Sequence, residues 1–206
     1  MKKPIFAVKI IILLWLLCLL GIFVFAQVAN KKTGIEKIDK YSKTLDSFIE
    51  KNKSPHLVFA DVSQSEKPKW KKFESEKAFN KFQETSVAYS ISYNWQKNGK
   101  IVVSNFILSS ESGDWFKYVY LYFCEDGTLV KAKSQLNTFY GNFNFLQDIY
   151  FDEKGHILKD TLTYLDLYSK KPKNPDESDI LVNGDRMNPF YFKTTNQLPY
   201  NHLLKD

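Results

Sequence analysis

The chain has 206 residues, a length that suits one domain with appendages. It carries 29 basic and 23 acidic residues, and Arg186 is the only arginine. A lysine-based charge of this kind argues against a nucleic-acid reader, because bidentate contacts to guanine or phosphate favour the guanidinium fork.

The N-terminus has the order of an export segment. Lys2, Lys3 and Lys9 precede Ile10 to Ala26, which contains no charge. Val24-Phe25-Ala26 offers a small residue before a cleavage point. The apolar stretch also sits at the lower edge of the ~17–25 residues that span a bilayer. Residues 1–26 are therefore expected to be a signal peptide or an N-terminal membrane anchor. Either reading places the remainder in the cell envelope, periplasmic or extracellular, with a membrane contact through residues 1–26 if they are retained. The segment holds three of the lysines and no acid, so without it the net charge of +6 is halved. The remainder needs no anionic partner to balance it. Its one cysteine, Cys124, excludes an intrachain disulfide there, which suits a bacterial envelope protein with a sufficient core. A buried structural thiol is expected at Cys124.

Residues 27–169 read as a helix followed by a sheet. Thr33 and Glu36 match a capping box. Ile35, Ile38, Tyr41, Leu45, Phe48 and Ile49 then recur at helical spacing opposite a lysine-rich face. Leu57 to Val62 predicts a short strand. The lysine-rich stretch that follows contains Trp70 and Phe73 without a clear pattern, and Ser75 predicts the cap of a short helix.

From Val87 to Tyr168 the pattern repeats. Gly99, Gly127 and Gly155 lie 28 residues apart in polar turns, each preceded by aromatics and followed by aliphatics. Gly113 and Gly141 mark a second set halfway between. This spacing predicts three hairpins in series, a six-stranded antiparallel meander. The expected fold class is α+β, with the N-terminal helix packed on that meander, as an open sheet or one curled toward a half-barrel. Residues 170–206 begin with a polar, proline-bearing loop, and the apolar clusters around Phe190 and Leu198 predict a tail docked on the same domain.

The strand from Asp114 to Cys124 differs from its neighbours in being apolar on both faces. Trp115, Val119, Leu121 and Phe123 fill one side, and Phe116, Tyr118, Tyr120 and Tyr122 the other. Trp115, Tyr118, Tyr120 and Tyr122 are the candidate ligand-binding residues, for an apolar ligand or an envelope protein partner. Packing of a central strand is the competing explanation.

Residue patterns for chemistry are sparse. His56, His156 and His202 have no second ligand at metal spacing, so no metal or cofactor is expected. Asp61 and Asp148 are the candidates for a semi-buried acid in an envelope hydrolase, the alternative to a non-enzymatic binding module. A membrane-anchored assembly factor is a third reading, in which residues 1–26 and the helix are the working parts.

Overall fold

The computed structural model describes residues 31–63 and 67–204. The expected signal or anchor segment lies outside the described residues. Among the described residues, no helix is long and apolar enough to cross a membrane.

The first helix, α1, runs through residues 31–51. It is already helical at residue 31, so Thr33 lies within it and the expected capping box does not mark its start. Its apolar face is the expected one. Leu45 is buried, and Ile38, Tyr41, Phe48 and Ile49 pack with it against Trp95, Val102, Val103 and Tyr122.

The described residues form one open sheet of eight strands, all antiparallel, where the hairpin repeat alone predicts six. The six meander strands are present: β3 (Ser90–Lys97), β4 (Lys100–Ser109), β5 (Trp115–Phe123), β6 (Leu129–Thr138), β7 (Phe143–Phe151) and β8 (Ile157–Asp166). Two more extend the β3 side. β1 (Leu57–Asp61) is the expected short strand, and it pairs with β3. β2 (Trp70–Phe73) pairs with β1 at the sheet edge. Its four residues include Lys71 and Lys72, which hid it from a hydrophobic reading; a short, lysine-bearing strand is a common way to protect an edge. The order is β2-β1-β3-β4-β5-β6-β7-β8, and the sheet does not close into a barrel.

The turns fix the register. Asn98 and Gly99 both have positive φ, 52° and 74°, as a two-residue hairpin of the twist-matched type requires. The Gly127 and Gly155 hairpins carry register shifts beside their aromatic pairs, at Tyr122/Phe123 and Tyr150/Phe151. These three hairpins define the near end of the sheet, and the turns around Gly113, Gly141 and Ser169 define the far end.

Each face is covered by different elements. On one face, α1 crosses the near end of the strands. Its Asp39 meets Lys131 on β6, its Asp46 meets Tyr122 on β5, and the carbonyl of Asn52 beyond it accepts from Trp95 on β3. Beside it, α2 (Glu76–Gln83) is capped by Ser75 as expected and seats Phe79 against Val58, Ala60, Phe73 and Ile91. On the other face lies the C-terminal segment. α3 (Glu177–Met187) sits at the far end, and two 3-10 turns, Thr195–Gln197 and Asn201–Leu204, lie at the near end. Between them, Phe190, Tyr191, Phe192, Leu198 and Tyr200 pack on Phe59, Phe106, Val119, Leu121 and Phe151. Fully burying side chains such as Phe59 or Phe106 contributes about 1.5–3 kcal/mol each. The tail therefore completes the core. Ser92 and Asn94, polar residues that alternate with Ile91, Tyr93 and Trp95, are fully buried beneath it.

Candidate functional site

The strand period of two sorts the candidate residues before any packing is considered. Tyr118, Tyr120 and Tyr122 project from the helix-bearing face, and Trp115 projects from the tail-bearing face.

Tyr122 is covered by α1. Its phenol donates to Asp46 Oδ1 at 2.7 Å, and burial pushes its pKa upward, with the Asp46 carboxylate adding to the effect. Tyr120 lies next to it, the ring centroids 6.5 Å apart and nearly parallel, and is half-buried at the margin of the helix. Tyr118 lies beyond the helix, half-exposed, opposite Ile107 on β4 and Gln135 on β6. Trp115 packs with Leu136, Phe143 and Phe145 on the other side of the sheet, where the Arg186 guanidinium lies 5.6 Å from its ring. The structure thus brings Tyr118 and Tyr120 together on an open surface, gives Tyr122 to the α1 interface and Trp115 to the α3 interface.

Sequence reasoning missed what lies around the two open tyrosines. Asn105 on β4 is paired with Tyr120 across the strands and is only 7 % exposed. Its Oδ1 is shielded from solvent and has no hydrogen-bond partner. A buried amide carbonyl left this way costs about 1–3 kcal/mol. Further along the same face, Gln135 Nε2 donates to Asn137 Oδ1 at 3.1 Å, and Asn144 Nδ2 donates to the same oxygen. Asn144 is 2 % exposed, and its own Oδ1 also lacks a partner. Leu146 lies opposite Gln135 on β7. The open half of this face therefore alternates aromatic or aliphatic side chains with amides. The available signal was asparagine inside strands, a residue that pleated surfaces disfavour.

A charged cluster locks the neighbouring end of α1. Lys131 Nζ donates to Asp39 Oδ1 at 2.8 Å and to the Tyr150 phenol at 2.9 Å, and Asp148 lies 3.7 Å away. Burial alone would lower the lysine pKa, but the hydrogen bonds to Asp39 and Tyr150 outweigh it and hold it above the ordinary value. Burial would raise Asp39, and the bonds from Lys131 and Tyr150 pull it below the carboxylate range.

The other sequence candidates have structural duties. Asp61 Oδ1 accepts from the amides of Ser63 and Lys69 and from the Ser63 hydroxyl, which shapes the β1–β2 turn. His156 pairs with Asp152 in an exposed hairpin turn, and His56 Nδ1 accepts from the Gln96 amide. No group of three metal-ligating side chains occurs among the described residues. Cys124 is half-buried, and burial raises its thiol pKa. A cleft of about 460 Å³ lies at the near end of the tail-bearing face, lined by Gln96, Lys100, Asp126, Thr195 and Asn201 among others. Its charged residues, Lys72, Lys100, Glu125 and Asp126, are exposed, so nothing there is desolvated for chemistry.

Compared with family models, curated proteins and solved structures, the chain matches none.

Proposed function

We propose that this chain is a binding module that takes an apolar ligand, or an apolar segment of a protein partner, across the open half of its helix-bearing face. The observation that supports this is that half-exposed Tyr118 and Tyr120 share a face of the sheet with the unpartnered, buried Oδ1 of Asn105. Aromatic rings offer apolar area with a polar tip, and the amides add sites that fix orientation. The ligand that fits has apolar surface for the rings and at least one hydrogen-bonding group. The place of action in this reading is the cell envelope, reached through residues 1–26.

The test is native mass spectrometry of the full-length chain purified from an exporting host, beside Tyr118→Ser. The expected result is an added mass, or a co-purifying protein, on the wild type that the variant loses at an unchanged thermal midpoint. An added mass that survives both Tyr118→Ser and Tyr120→Ser would remove this face from consideration.

A further inference from the structure

We propose that the outward side of α3 is a docking surface for a basic amphipathic helix of a partner protein, distinct from the tyrosine face and on the opposite side of the sheet. The helix is seated with its polarity inverted. The residue it buries is Asn183, at 0 % exposure, while Ile180, Leu181 and Val182 are 41 %, 79 % and 53 % exposed. An amphipathic helix normally turns its apolar side to the sheet.

Polar bonds hold α3 in this orientation. Thr138 Oγ1 donates to Asn183 Oδ1 at 3.0 Å, and Asn183 Nδ2 donates to the Tyr140 carbonyl at 3.1 Å. Arg186 donates to the same Oδ1 and lies between the rings of Trp115 and Tyr140, 5.6 and 4.8 Å from their centroids. Asp176 and Asp179 form a reciprocal capping box at the N-terminus. Rotating the helix to bury Leu181 would break this set, so the apolar residues stay outside. The turn beneath adds Phe139 and Tyr140, 55 % and 41 % exposed. Exposed apolar residues are ordinary when scattered; three consecutive ones beside two aromatics form a patch.

The charge around the patch selects the occupant. The exposed charged side chains of α3 are Glu177 and Asp185, and its N-cap Asp176 is a third exposed acid. Asp114 joins them, accepting from the Tyr140 phenol at 3.2 Å. Of the bases at this end, Arg186 is turned inward and Lys173 donates to the carbonyls of Gly141 and Asn142, while exposed Lys170 and Lys171 lie in the loop that precedes the N-cap. An apolar stripe flanked by lysine or arginine complements this surface. A second copy of the chain would bring the same acids face to face about a two-fold axis. An anionic bilayer would be repelled by them.

Fluorescence anisotropy tests this with the full-length chain in phosphatidylcholine nanodiscs. The probes are a labelled synthetic Leu/Lys amphipathic helix and its Leu/Glu counterpart, with empty nanodiscs as the blank. The expected result is binding of the Leu/Lys helix alone, weakened about tenfold or more by Leu181→Asp and by the double reversal Glu177→Lys/Asp185→Lys. Tyr118→Ser should leave it unchanged, which separates this surface from the tyrosine face. Equal affinity in wild type and both variants overturns the proposal. Leu181-dependent self-association in sedimentation, or Leu181-dependent binding to phosphatidylglycerol vesicles, overturns it in favour of those occupants. Leu181, Glu177 and Asp185 are all exposed, and the charge reversal decides the matter even if Leu181→Asp perturbs the fold.

Discussion

Tyr200 donates its phenol proton to Asn94 Oδ1 at 2.8 Å, joining residues 106 positions apart in a site with no solvent access. Ser104 Oγ donates to the same oxygen at 2.6 Å, Asn94 Nδ2 donates to Ser92 Oγ, and Ser92 Oγ lies 2.6 Å from the phenol. The ring stacks on Phe59 with centroids 4.1 Å apart. The tail is thus fastened by one aromatic residue whose polar end is fully bonded inside an apolar core.

Removing only the hydroxyl should expose the cost of that arrangement. Tyr200→Phe leaves Ser92 and Asn94 short of a partner, and a loss of about 1–3 kcal/mol is expected in denaturant unfolding with an unchanged slope. Tyr200→Ala adds a cavity and should cost about 3–5 kcal/mol. The phenol pKa is pushed up to about 12 by burial, from an ordinary value of 10.0. An acid whose folded-state pKa is raised contributes stability that is complete below pH 10 and declines as pH rises toward 12. Wild type should therefore lose stability in that alkaline window, and Tyr200→Phe should lose less.

The Asp39–Lys131 pair should govern how firmly α1 is held. Asp39 is depressed in the folded state, so its contribution is present above the unfolded carboxylate value and fades as pH falls through the lower folded one. Lys131 is raised, so its contribution is complete below 10.5 and fades as pH climbs through the higher folded value. Asp39→Ala should cost about 1–2 kcal/mol, less than a fully buried pair, because the Asp39 side chain is 38 % exposed and Asp148 partly replaces it. Urea midpoints at neutral pH and at pH 3 check this: the difference between the variant and wild type should shrink in acid.

Lys117 has the opposite sign. It is 3 % exposed on the tail-bearing face, and its ammonium donates to the Asn188 carbonyl at 2.6 Å. Burial lowers its pKa to about 8. The unfolded chain therefore binds more protons between pH 8 and 10.5, and this residue makes stability rise with pH across that window. Lys117→Met keeps the length and drops the charge. It should stabilise the protein at pH 7, by up to about 3 kcal/mol if the whole shift is recovered, and should flatten the alkaline rise in midpoint.

How much of this was legible depends on distance along the chain. Turn glycines and alternation are local, so the hairpins from β3 to β8 and the core face of Phe143, Phe145, Ile149 and Phe151 could be read directly. The burial of Ser92 and Asn94 has no local signal, because Tyr200, which covers them, lies 108 and 106 positions away. α3 went unread since Ile180-Leu181-Val182-Asn183 has no helical period, a direct result of its inverted seating. Parity separated Trp115 from the three tyrosines, but which tyrosines stay open follows from where α1 crosses the strands. That is a tertiary relation with no local signal.

Asn105 gives the sharpest test of the proposed binding face, since stability and binding should move in opposite directions. Its orphaned carbonyl destabilises the folded chain, and leucine has a similar volume without the polar atoms. Asn105→Leu should therefore raise the unfolding free energy by about 1–3 kcal/mol. If the amide serves a ligand at Tyr118 and Tyr120, the same substitution should reduce the retained mass or partner seen with wild type. A more stable protein with weaker binding identifies Asn105 as a residue kept for function at a cost in stability. A more stable protein that binds as before would mean that the amide faces no ligand, and the site would shift toward Tyr118, Gln135 and Leu146.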